Sequence, residues 1–207
     1  FPVYAGTKLP AMDNYPNLAS REKSFIESWW TDTDYNIGIS TTRFGDGKEA
    51  LIAVDVDNKD GRDGDGDVFN LEMKGFEFPP TFEQMTPSGG RHLIYITPYA
   101  VKQGTKVLGT KGLDTRSNGG YVVGMGSSIR GVRESYTANM KAIGRVPPWL
   151  LEKLPKSTPR ELKKFEVPTN INQQLAVSRA INYLKNEAPQ ASSGNRNHVG
   201  YQVACRL

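Results

Sequence analysis

One short segment, Leu51–Asn58 with the sequence LIAVDVDN, constrains the fold more than any other. Its apolar residues lead into two aspartates two positions apart, which is typical of a buried β-strand that ends in polar residues. Because side chains alternate along a strand, Asp55 and Asp57 must lie on the same face. Like charges this close repel each other. The segment therefore predicts that positive charge, from the protein or from a bound cation, accompanies the two carboxylates.

The composition is that of a folded protein with a core. The chain has 207 residues, of which 37% are hydrophobic and 23% charged, and its formal net charge of +4 is compatible with a polyanionic partner without identifying one. A single cysteine, Cys205, excludes an internal disulfide and favours a reducing compartment. No apolar run approaches the ~20 residues of a membrane span, and no signal-peptide pattern opens the chain. Since it lacks a first methionine, we expect a fragment of a longer protein.

Strand and helix patterns mix without strict alternation, which predicts an α+β fold with one mixed, largely antiparallel sheet and helices packed on one face. The predicted strands are 36–41, 50–57 and 91–97, with shorter ones within 112–116, 119–128 and 134–138. The predicted helices are 19–30 with Ser20 as N-cap, 68–75, 147–154 and 173–185. We divide the chain into a main domain over 1–154, a basic, proline-containing linker over 155–170, and the start of a helical accessory domain over 171–207.

The segment after the first aspartates is unusually acidic. Six aspartates lie between Asp55 and Asp67, and residues 58–67 consist of turn formers and charges, so we expect a solvated loop there. Neither register of an EF-hand calcium loop fits. A loop that starts at Asp55 has Lys59 where an oxygen ligand is needed, and a loop that starts at Asp63 has Val68 and Lys74 where glycine and glutamate are needed. We assign this insert no function from the sequence.

Three segments could hold a divalent cation and a phosphate chain. Oxygen-only ligands such as Asp55 and Asp57 suit Mg²⁺ or Mn²⁺. Asp114 lies between the basic residues Lys111 and Arg116 and is either a third ligand or an ion-pair partner of Arg116.

The segment TPSGGRHLIY, residues 86–95, offers the backbone N–H groups of 88–90 and the cations Arg91 and His92 to an anion such as a triphosphate. The alternative is an ordinary hairpin turn with a hydrogen-bonded histidine.

In this order, these pieces resemble the bifunctional primase–polymerase domain of phages and plasmids, in the archaeo-eukaryotic primase superfamily. The resemblance covers about residues 1–150. It rests on FPVYAGTKLP, WW, NIGIST, AVDVD, PPTFEQMTPSGGRHLIY and GLDTRSNGGYVVGMGS. It implies an RRM-like primase–polymerase core over 1–154 that acts in the cytoplasm of a bacterial or archaeal host. Met125 and Gly126 stand where the family often has two prolines.

The resemblance implies a role for each matching residue. Asp55, Asp57 and Asp114 would be the catalytic carboxylates that bind two Mg²⁺ or Mn²⁺ ions, ~3.5–4 Å apart. The incoming nucleoside triphosphate would contact Ser88, Gly90, Arg91, His92, Arg116 and Ser127. A single-stranded DNA template would contact exposed basic residues, for which we name Lys102, Lys106, Lys111, Arg130 and Arg133. The resemblance is also compatible with a helicase domain in the same full-length chain.

Two other functions compete with nucleotidyl transfer. A rolling-circle type nuclease needs a pair of nearby histidines, but His92 and His198 are far apart in the chain. A non-catalytic, RRM-like binder of single-stranded nucleic acid needs exposed aromatic residues on its central strands, for which Tyr95 and Tyr121 are the candidates. The binder leaves the three ordered aspartates without a purpose.

Overall fold

The computed structural model describes residues 1–42, 48–105 and 108–157, together with 177–178, 181–182 and 185–186. The chain divides into two compact units, residues 1–159 and 160–207. In the second unit, the described residues are helical, and the remainder of the predicted helix 173–185 lies outside the described residues. The linker and accessory-domain assignments stay predictions, although the first linker residues pair with the first unit: the N–H of Ser157 donates to the carbonyl of Ala100, and that of Lys102 donates to the carbonyl of Pro155.

The first unit is built from short strands and a few helices. Its strands are β1 (Pro2–Val3), β2 (Asn36–Ser40), β3 (Ala50–Val56), β4 (Phe82–Met85), β5 (Arg91–Thr97), β6 (Gly104–Thr105), β7 (Leu113–Arg116), β8 (Tyr121–Val123), β9 (Thr137–Ala138) and β10 (Gly144–Arg145). Its helices are α1 (Tyr15–Leu18), α2 (Lys23–Trp30), α3 (Gly64–Glu72) and α4 (Pro148–Lys153). The predicted α+β class is confirmed. In the described part of the chain, no helix is long and apolar enough to cross a membrane.

Strand β3 lies at the centre of the larger sheet, as its apolar sequence predicts. The order in this sheet is β6-β7-β3-β5-β4-β9, with every neighbouring pair antiparallel, and β10 joins β5 in a parallel pair. The prediction of a single sheet is wrong, because β1, β2 and β8 form a second, antiparallel sheet. Both edges of β3 are already taken by β5 and β7, so β8 finds its partner in β2.

One face of the larger sheet carries the main hydrophobic core. Strand residues from β3, β5 and β7 pack there against helices α3 and α4, and the fully or almost fully buried members are Ile52, Val54, Val56, Leu93, Tyr95, Leu113, Val68, Leu71, Leu150 and Leu154. We call this the core face. Burying such side chains contributes roughly 1.5–3 kcal/mol each.

The opposite face of the larger sheet carries a smaller apolar cluster. Ala53 of β3 and Ile94 of β5 pack there with Val122 of β8, beside the partly buried Ile39 of β2. The second sheet therefore covers part of this face. The uncovered part holds the polar residues described below, and we call the whole of it the site face.

Helix α3 begins inside the acidic segment, so the prediction of a loop over all of 58–67 is wrong. The Asp63 side chain caps the helix by accepting a hydrogen bond of 2.9 Å from the N–H of Gly66. Asp65 and Asp67 lie in the first turn, where negative charge interacts favourably with the helix dipole. A side chain at Gly64 would collide with the backbone of Asp57, so glycine lets the helix start directly beneath the end of β3.

Helix α2 begins later than predicted. Ser20 is not its N-cap, because the helix starts at Lys23 and the Ser20 hydroxyl accepts a hydrogen bond from the N–H of Glu22 at 3.1 Å. The serine therefore shapes the turn before the helix.

Candidate active site

Three of the predicted site residues form a row across the larger sheet. Asp55 at the end of β3 lies directly opposite His92 of β5 on one side and Asp114 of β7 on the other. Directly opposed residues of antiparallel strands place their side chains on the same face. Asp55 and Asp114 are thus neighbours on the site face, although they are 59 positions apart in the chain. Beyond His92, the row continues with Gln84 of β4.

Arginine side chains connect the three carboxylates. The Arg62 guanidinium lies 3.0 Å from the nearest oxygen of Asp57 and 3.7 Å from that of Asp114. The Arg116 guanidinium lies 3.3 Å from Asp55 and 4.0 Å from Asp114. Each guanidinium therefore touches two carboxylates, so the structure brings Asp55, Asp57 and Asp114 together. The positive charge that the sequence required is supplied, within the protein, by these two arginines and by Lys59, 3.9 Å from Asp57.

His92 and Arg116 set the charge state of Asp55. The Nε2 atom of His92 lies 3.5 Å from a carboxylate oxygen of Asp55. Burial by itself raises the pKa of Asp55, but the contacts with His92 and Arg116 outweigh it, so that the pKa is lowered from its ordinary value. Asp55 is therefore ionised at neutral pH and available to a cation.

The middle of this row borders a cleft of about 270 Å³ on the site face, whereas Asp114 and Gln84 do not line it. Asp55, His92 and Arg116 contribute to its wall, and β8 of the second sheet contributes Tyr121, Val122 and Val123. The remaining lining residues are Lys8, Tyr15, Gln103, Gly119, Gly120 and Tyr136. A larger and more apolar cavity of about 590 Å³ lies between α2 and β2, but it contains none of the predicted site residues.

Several residues of the cleft were not predicted as nucleotide contacts from the sequence. Lys8 adds a cation to the wall, and the Tyr121 hydroxyl donates to its backbone carbonyl. Tyr136 is buried with its ring centroid 6.3 Å from that of His92, and burial, the charge of Asp55 and Tyr121 raise its pKa to about 12. The sequence offers no local signal for these residues, because they reach the cleft through long-range pairing.

The donor chemistry of the carboxylates fits a divalent cation. Carboxylate oxygens that converge on one face are the ligands that Mg²⁺ and Mn²⁺ prefer. Among the described residues, no group of three or more His, Cys, Asp and Glu side chains is arranged to hold a metal ion as it stands. Arg62 and Arg116 contact the same oxygens that a cation would take. A bound cation therefore requires these guanidinium groups to move, and the side chains of both are two-fifths exposed, which leaves them room to do so.

The structure does not bring Arg91 to the row. Adjacent residues of a strand point to opposite faces, and Arg91 lies next to His92. Its guanidinium contacts Asp65 of α3 at 2.9 Å and Glu83 of β4 at 3.1 Å on the core side of the sheet. The expectation that Arg91 and His92 face one triphosphate together therefore conflicts with the strand geometry.

The backbone N–H groups near Ser88 are largely engaged within their own turn. The N–H of Gly89 donates to the carbonyl of Thr86, and that of Gly90 donates to the hydroxyl of Thr86, each at 3.1 Å. The Ser88 hydroxyl lies 3.2 Å from that of Thr86. A side chain at Gly90 would collide with the carbonyl of Val56, so this glycine allows the turn to pack against the end of β3. The turn thus lies beside the carboxylates, but two of its three expected donors are occupied.

Ser127 and the proposed template contacts lie outside the cleft. The buried Ser127 hydroxyl accepts a hydrogen bond of 2.9 Å from the N–H of Ile37, which connects β2 with the segment after β8. The exposed residues Lys102, Lys111, Arg130 and Arg133 do not line the cleft in the part of the chain that the structure describes, and Lys106 lies outside the described residues.

The aromatic residues do not match a simple RRM-like binding surface. Tyr95 is fully buried in the core, where its hydroxyl donates to the carbonyl of Pro79 at 2.8 Å. Tyr121 is half-buried at the cleft, beside Tyr15 with 5.0 Å between the ring centroids. Of the two aromatic candidates for base stacking, only Tyr121 therefore reaches a surface that a nucleic acid could contact.

The comparison with known families agrees with this geometry. The model of the family described as bifunctional DNA primase/polymerase, N-terminal, matches residues 1–149, which include all three carboxylates and His92. No curated protein matches the chain. Because the family model spans more than half of the sequence, the chain belongs to the bifunctional DNA primase/polymerase family, whose members are nucleotidyltransferases.

Proposed function

We propose that this domain performs template-directed nucleotidyl transfer in the cleft on the site face. The observation that carries the proposal is the row Asp114–Asp55–His92, in which two buried or nearly buried carboxylates and a histidine from three strands lie side by side, with Asp55 and His92 in the wall of the cleft. In this reaction the 3′-hydroxyl of a primer or first nucleotide attacks the α-phosphate of a nucleoside triphosphate, and pyrophosphate leaves.

The three carboxylates are the proposed ligands of Mg²⁺ or Mn²⁺, with two ions expected. When bound, such ions neutralise phosphate charge and activate the attacking hydroxyl. Asp55 and Asp114 are held by the sheet, whereas Asp57 lies just after β3 and is fixed by its backbone: its N–H donates to the carbonyl of Gly112, and its carbonyl accepts from Gly64. The backbone positions of the three ligands are therefore set before any ion binds, and only side chains have to rearrange, which favours catalysis by positioning.

His92, Arg116 and Lys8 are the proposed contacts of the triphosphate. All three line the cleft, and each offers N–H donors to phosphate oxygens. We propose a structural role, without direct contact to the nucleotide, for four other predicted residues, because their polar groups already have partners in the protein. Ser88 and Gly90 contact Thr86, Arg91 contacts Asp65 and Glu83, and Ser127 contacts Ile37. They support the strands that carry the nucleotide contacts.

A single-stranded DNA template is the proposed partner. Lys102, Lys111, Arg130 and Arg133 are exposed and are proposed to contact its phosphates, and Lys106 is a further candidate from the sequence. We further propose an RRM-like primase–polymerase core in a phage or plasmid replication protein, with a helicase domain in the full-length chain, which acts in the cytoplasm of a bacterial or archaeal host. The helical residues after 170 would belong to an accessory domain.

The test is a gel assay with labelled ribonucleotides and deoxyribonucleotides on primed and unprimed single strands, in Mg²⁺ and in Mn²⁺. We expect synthesis by the unaltered protein and its loss in Asp55→Ala and Asp114→Ala. Asp60→Asn is the matched control, since Asp60 is exposed in the same acidic segment. His92→Ala should raise the KM for the nucleotide more than the Kd for the template.

Two outcomes would contradict the proposal. Normal synthesis by Asp55→Ala or Asp114→Ala would remove the carboxylates from the reaction. Tight binding of single-stranded DNA with no incorporation of any nucleotide, under all these conditions, would favour a non-catalytic binding domain.

A further inference from the structure

The side chain of Gln84 lies between His92 and the second sheet. Gln84 is fully buried on β4, directly opposite His92 of β5 and therefore on the site face. Its side-chain nitrogen lies 2.9 Å from Nδ1 of His92 and 2.6 Å from the backbone carbonyl oxygen of Val123. One amide nitrogen thus bridges the histidine and strand β8.

The Val123 carbonyl determines which end of the Gln84 amide faces the histidine. A carbonyl oxygen only accepts hydrogen bonds, so the group beside it must be the NH₂ group of the amide. With the amide reversed, two acceptor oxygens would face each other at 2.6 Å. In the observed orientation, the Gln84 side-chain carbonyl oxygen has no hydrogen-bond partner among the described residues. The structure therefore keeps this orientation despite an unsatisfied buried oxygen.

The same NH₂ group determines where the histidine carries its proton. One amide proton goes to Val123 and the other points to Nδ1 of His92, so Nδ1 must accept. A neutral imidazole then carries its single proton on Nε2. This is the nitrogen that lies 3.5 Å from Asp55, at the wall of the cleft.

We propose that Gln84 is a positioning residue that fixes His92 as the Nε2–H tautomer, so that the single N–H donor of the ring faces Asp55 in the free protein and a phosphate oxygen when a ligand occupies the cleft. Only the identity of the phosphate-bearing ligand rests on the proposed function. The hydrogen bond and the tautomer concern the protein alone.

Nitrogen NMR of the ¹⁵N-labelled protein tests the proposal without any turnover. We expect a through-hydrogen-bond coupling between the Gln84 side-chain nitrogen and Nδ1 of His92, and ring shifts in which Nδ1 accepts and Nε2 carries the proton. In Gln84→Glu, an acceptor replaces the donor, so Nδ1 should gain a proton. In Gln84→Met, the coupling should be lost, and the KM for the nucleotide should rise roughly tenfold in both variants.

Thr81→Val is the control for a merely structural effect. The buried Thr81 hydroxyl donates to the carbonyl of Ile94 in the same part of the sheet but does not contact His92. This variant should lower the thermal stability and leave the His92 ring shifts unchanged. A proton on Nδ1 in the unaltered protein, or unchanged His92 shifts in Gln84→Glu, would overturn the proposal whatever the polymerase assay shows.

A second, independent observation concerns the hydroxyl of Tyr136. This residue is only 2% exposed, yet it lines the cleft beside His92. Its neighbours at the cleft use their hydroxyls within the protein: Tyr15 donates to the carbonyl of Gly119, and Tyr121 donates to that of Lys8. Among the described residues, nothing hydrogen-bonds the Tyr136 hydroxyl. A hydroxyl that lacks a partner among the described residues and borders a cleft is available to a ligand.

We infer that the Tyr136 hydroxyl donates a hydrogen bond to an oxygen of the nucleotide bound in the cleft. The inference rests on the proposed function for the class of ligand. It adds a residue that holds the substrate directly, next to the histidine that Gln84 orients.

Calorimetric titration with ATP, dATP and inorganic triphosphate, in Mn²⁺ and without template, tests this contact. Tyr136→Phe keeps the ring, and we expect its Kd for ATP or dATP to rise roughly fivefold to tenfold. If the Kd for inorganic triphosphate rises equally, the acceptor is a phosphate oxygen; if it does not, the acceptor belongs to the sugar or base. Both results support the inference.

Tyr95→Phe is the matched control, because the Tyr95 hydroxyl donates to Pro79 on the core face. It should lower the thermal stability without changing the Kd of any of the three ligands. Tight nucleotide binding that is unchanged in Tyr136→Phe would overturn the inference but leave the proposed function standing. Absence of nucleotide binding by the unaltered protein would instead contradict the proposed function and remove the inference with it.

Discussion

The two faces of the larger sheet differ in chemistry although they alternate along the same strands. On β3, Val54 and Val56 point into the core and are fully buried, whereas Asp55 between them points to the cleft. On β7, Leu113 likewise packs in the core and Asp114 lies on the site face. The core face therefore stabilises the fold, and the site face carries charges that would be unfavourable without partners. Substitutions on the core face should therefore lower the stability of the fold, whereas substitutions on the site face should lower the rate of the reaction.

The largest expected effect is on the site face. Asp114→Asn keeps the shape of the side chain but removes a charge that Arg62 and Arg116 contact. We expect nucleotide incorporation to fall about a thousandfold, since a proposed ligand of the divalent cation is lost. The midpoint of thermal unfolding should change little. Primer-extension rates and calorimetry on the same sample measure the two quantities. Normal extension by a folded Asp114→Asn protein would contradict the assignment.

The adjacent residue on the core face should behave in the opposite way. Leu113→Ala leaves a cavity among fully buried neighbours, and we expect it to lower the free energy of unfolding by about 2–5 kcal/mol. Denaturant titration measures the loss. At a temperature where the variant is folded, its rate of synthesis should stay within a few-fold of that of the unaltered protein. A stability equal to the original would mean that β7 does not pack as described.

A smaller effect is expected at the start of α3, which packs on the core face. Asp63→Ala removes the side-chain cap and should lower the free energy of unfolding by about 1 kcal/mol. Asp60→Asn, in the same acidic segment but outside the helix, is the control and should be nearly neutral, because asparagine also tolerates the positive φ of 56° at this position. If both variants lose the same stability, the acidic segment does not form the helix start.

The last effect concerns two tyrosines, one on each face, and is confined to high pH. Burial raises the pKa of Tyr95 on the core face and raises that of Tyr136 on the site face to about 12. A raised folded-state pKa gives stability that is present below the ordinary value of about 10 and is lost as the pH rises towards the folded value. Tyr136→Phe and Tyr95→Phe should each lose less stability than the unaltered protein between pH 10 and 12. If the stability of the two variants falls with pH as steeply as that of the unaltered protein, the described burial of the tyrosines is contradicted.

The long strands of the fold could be predicted from sequence because their signals are local. The strand Arg91–Thr97 has the predicted bounds, and the strand that begins at Ala50 ends one residue earlier than predicted. The second sheet could not be predicted in this way, because the choice of β2 as the partner of β8 depends on which strand edges remain free. The acidic segment was misassigned because its composition resembles a loop, whereas the capping by Asp63 depends on where the helix packs.

The candidate site was only partly predictable. Asp55, His92 and Asp114 belong to ordered motifs, and the structure brings them into one row. The placement of Arg91 on the other face follows from strand alternation and could have been foreseen, since adjacent residues cannot share a face. Tyr136 reaches the site by another route: β9, which follows it, pairs with β4, so residues more than 50 positions apart become neighbours. No local pattern encodes such a pairing.

A Mn²⁺ titration followed by electron paramagnetic resonance tests the central claim most directly, which is that Asp55, Asp57 and Asp114 bind divalent cations as one unit. We expect the unaltered protein to bind Mn²⁺ and to bind it more tightly with a nucleoside triphosphate present. Asp55→Asn, Asp57→Asn and Asp114→Asn should each weaken that binding strongly, while Asp60→Asn should not. Equal Mn²⁺ affinity in the unaltered protein and in all three site variants would contradict the account.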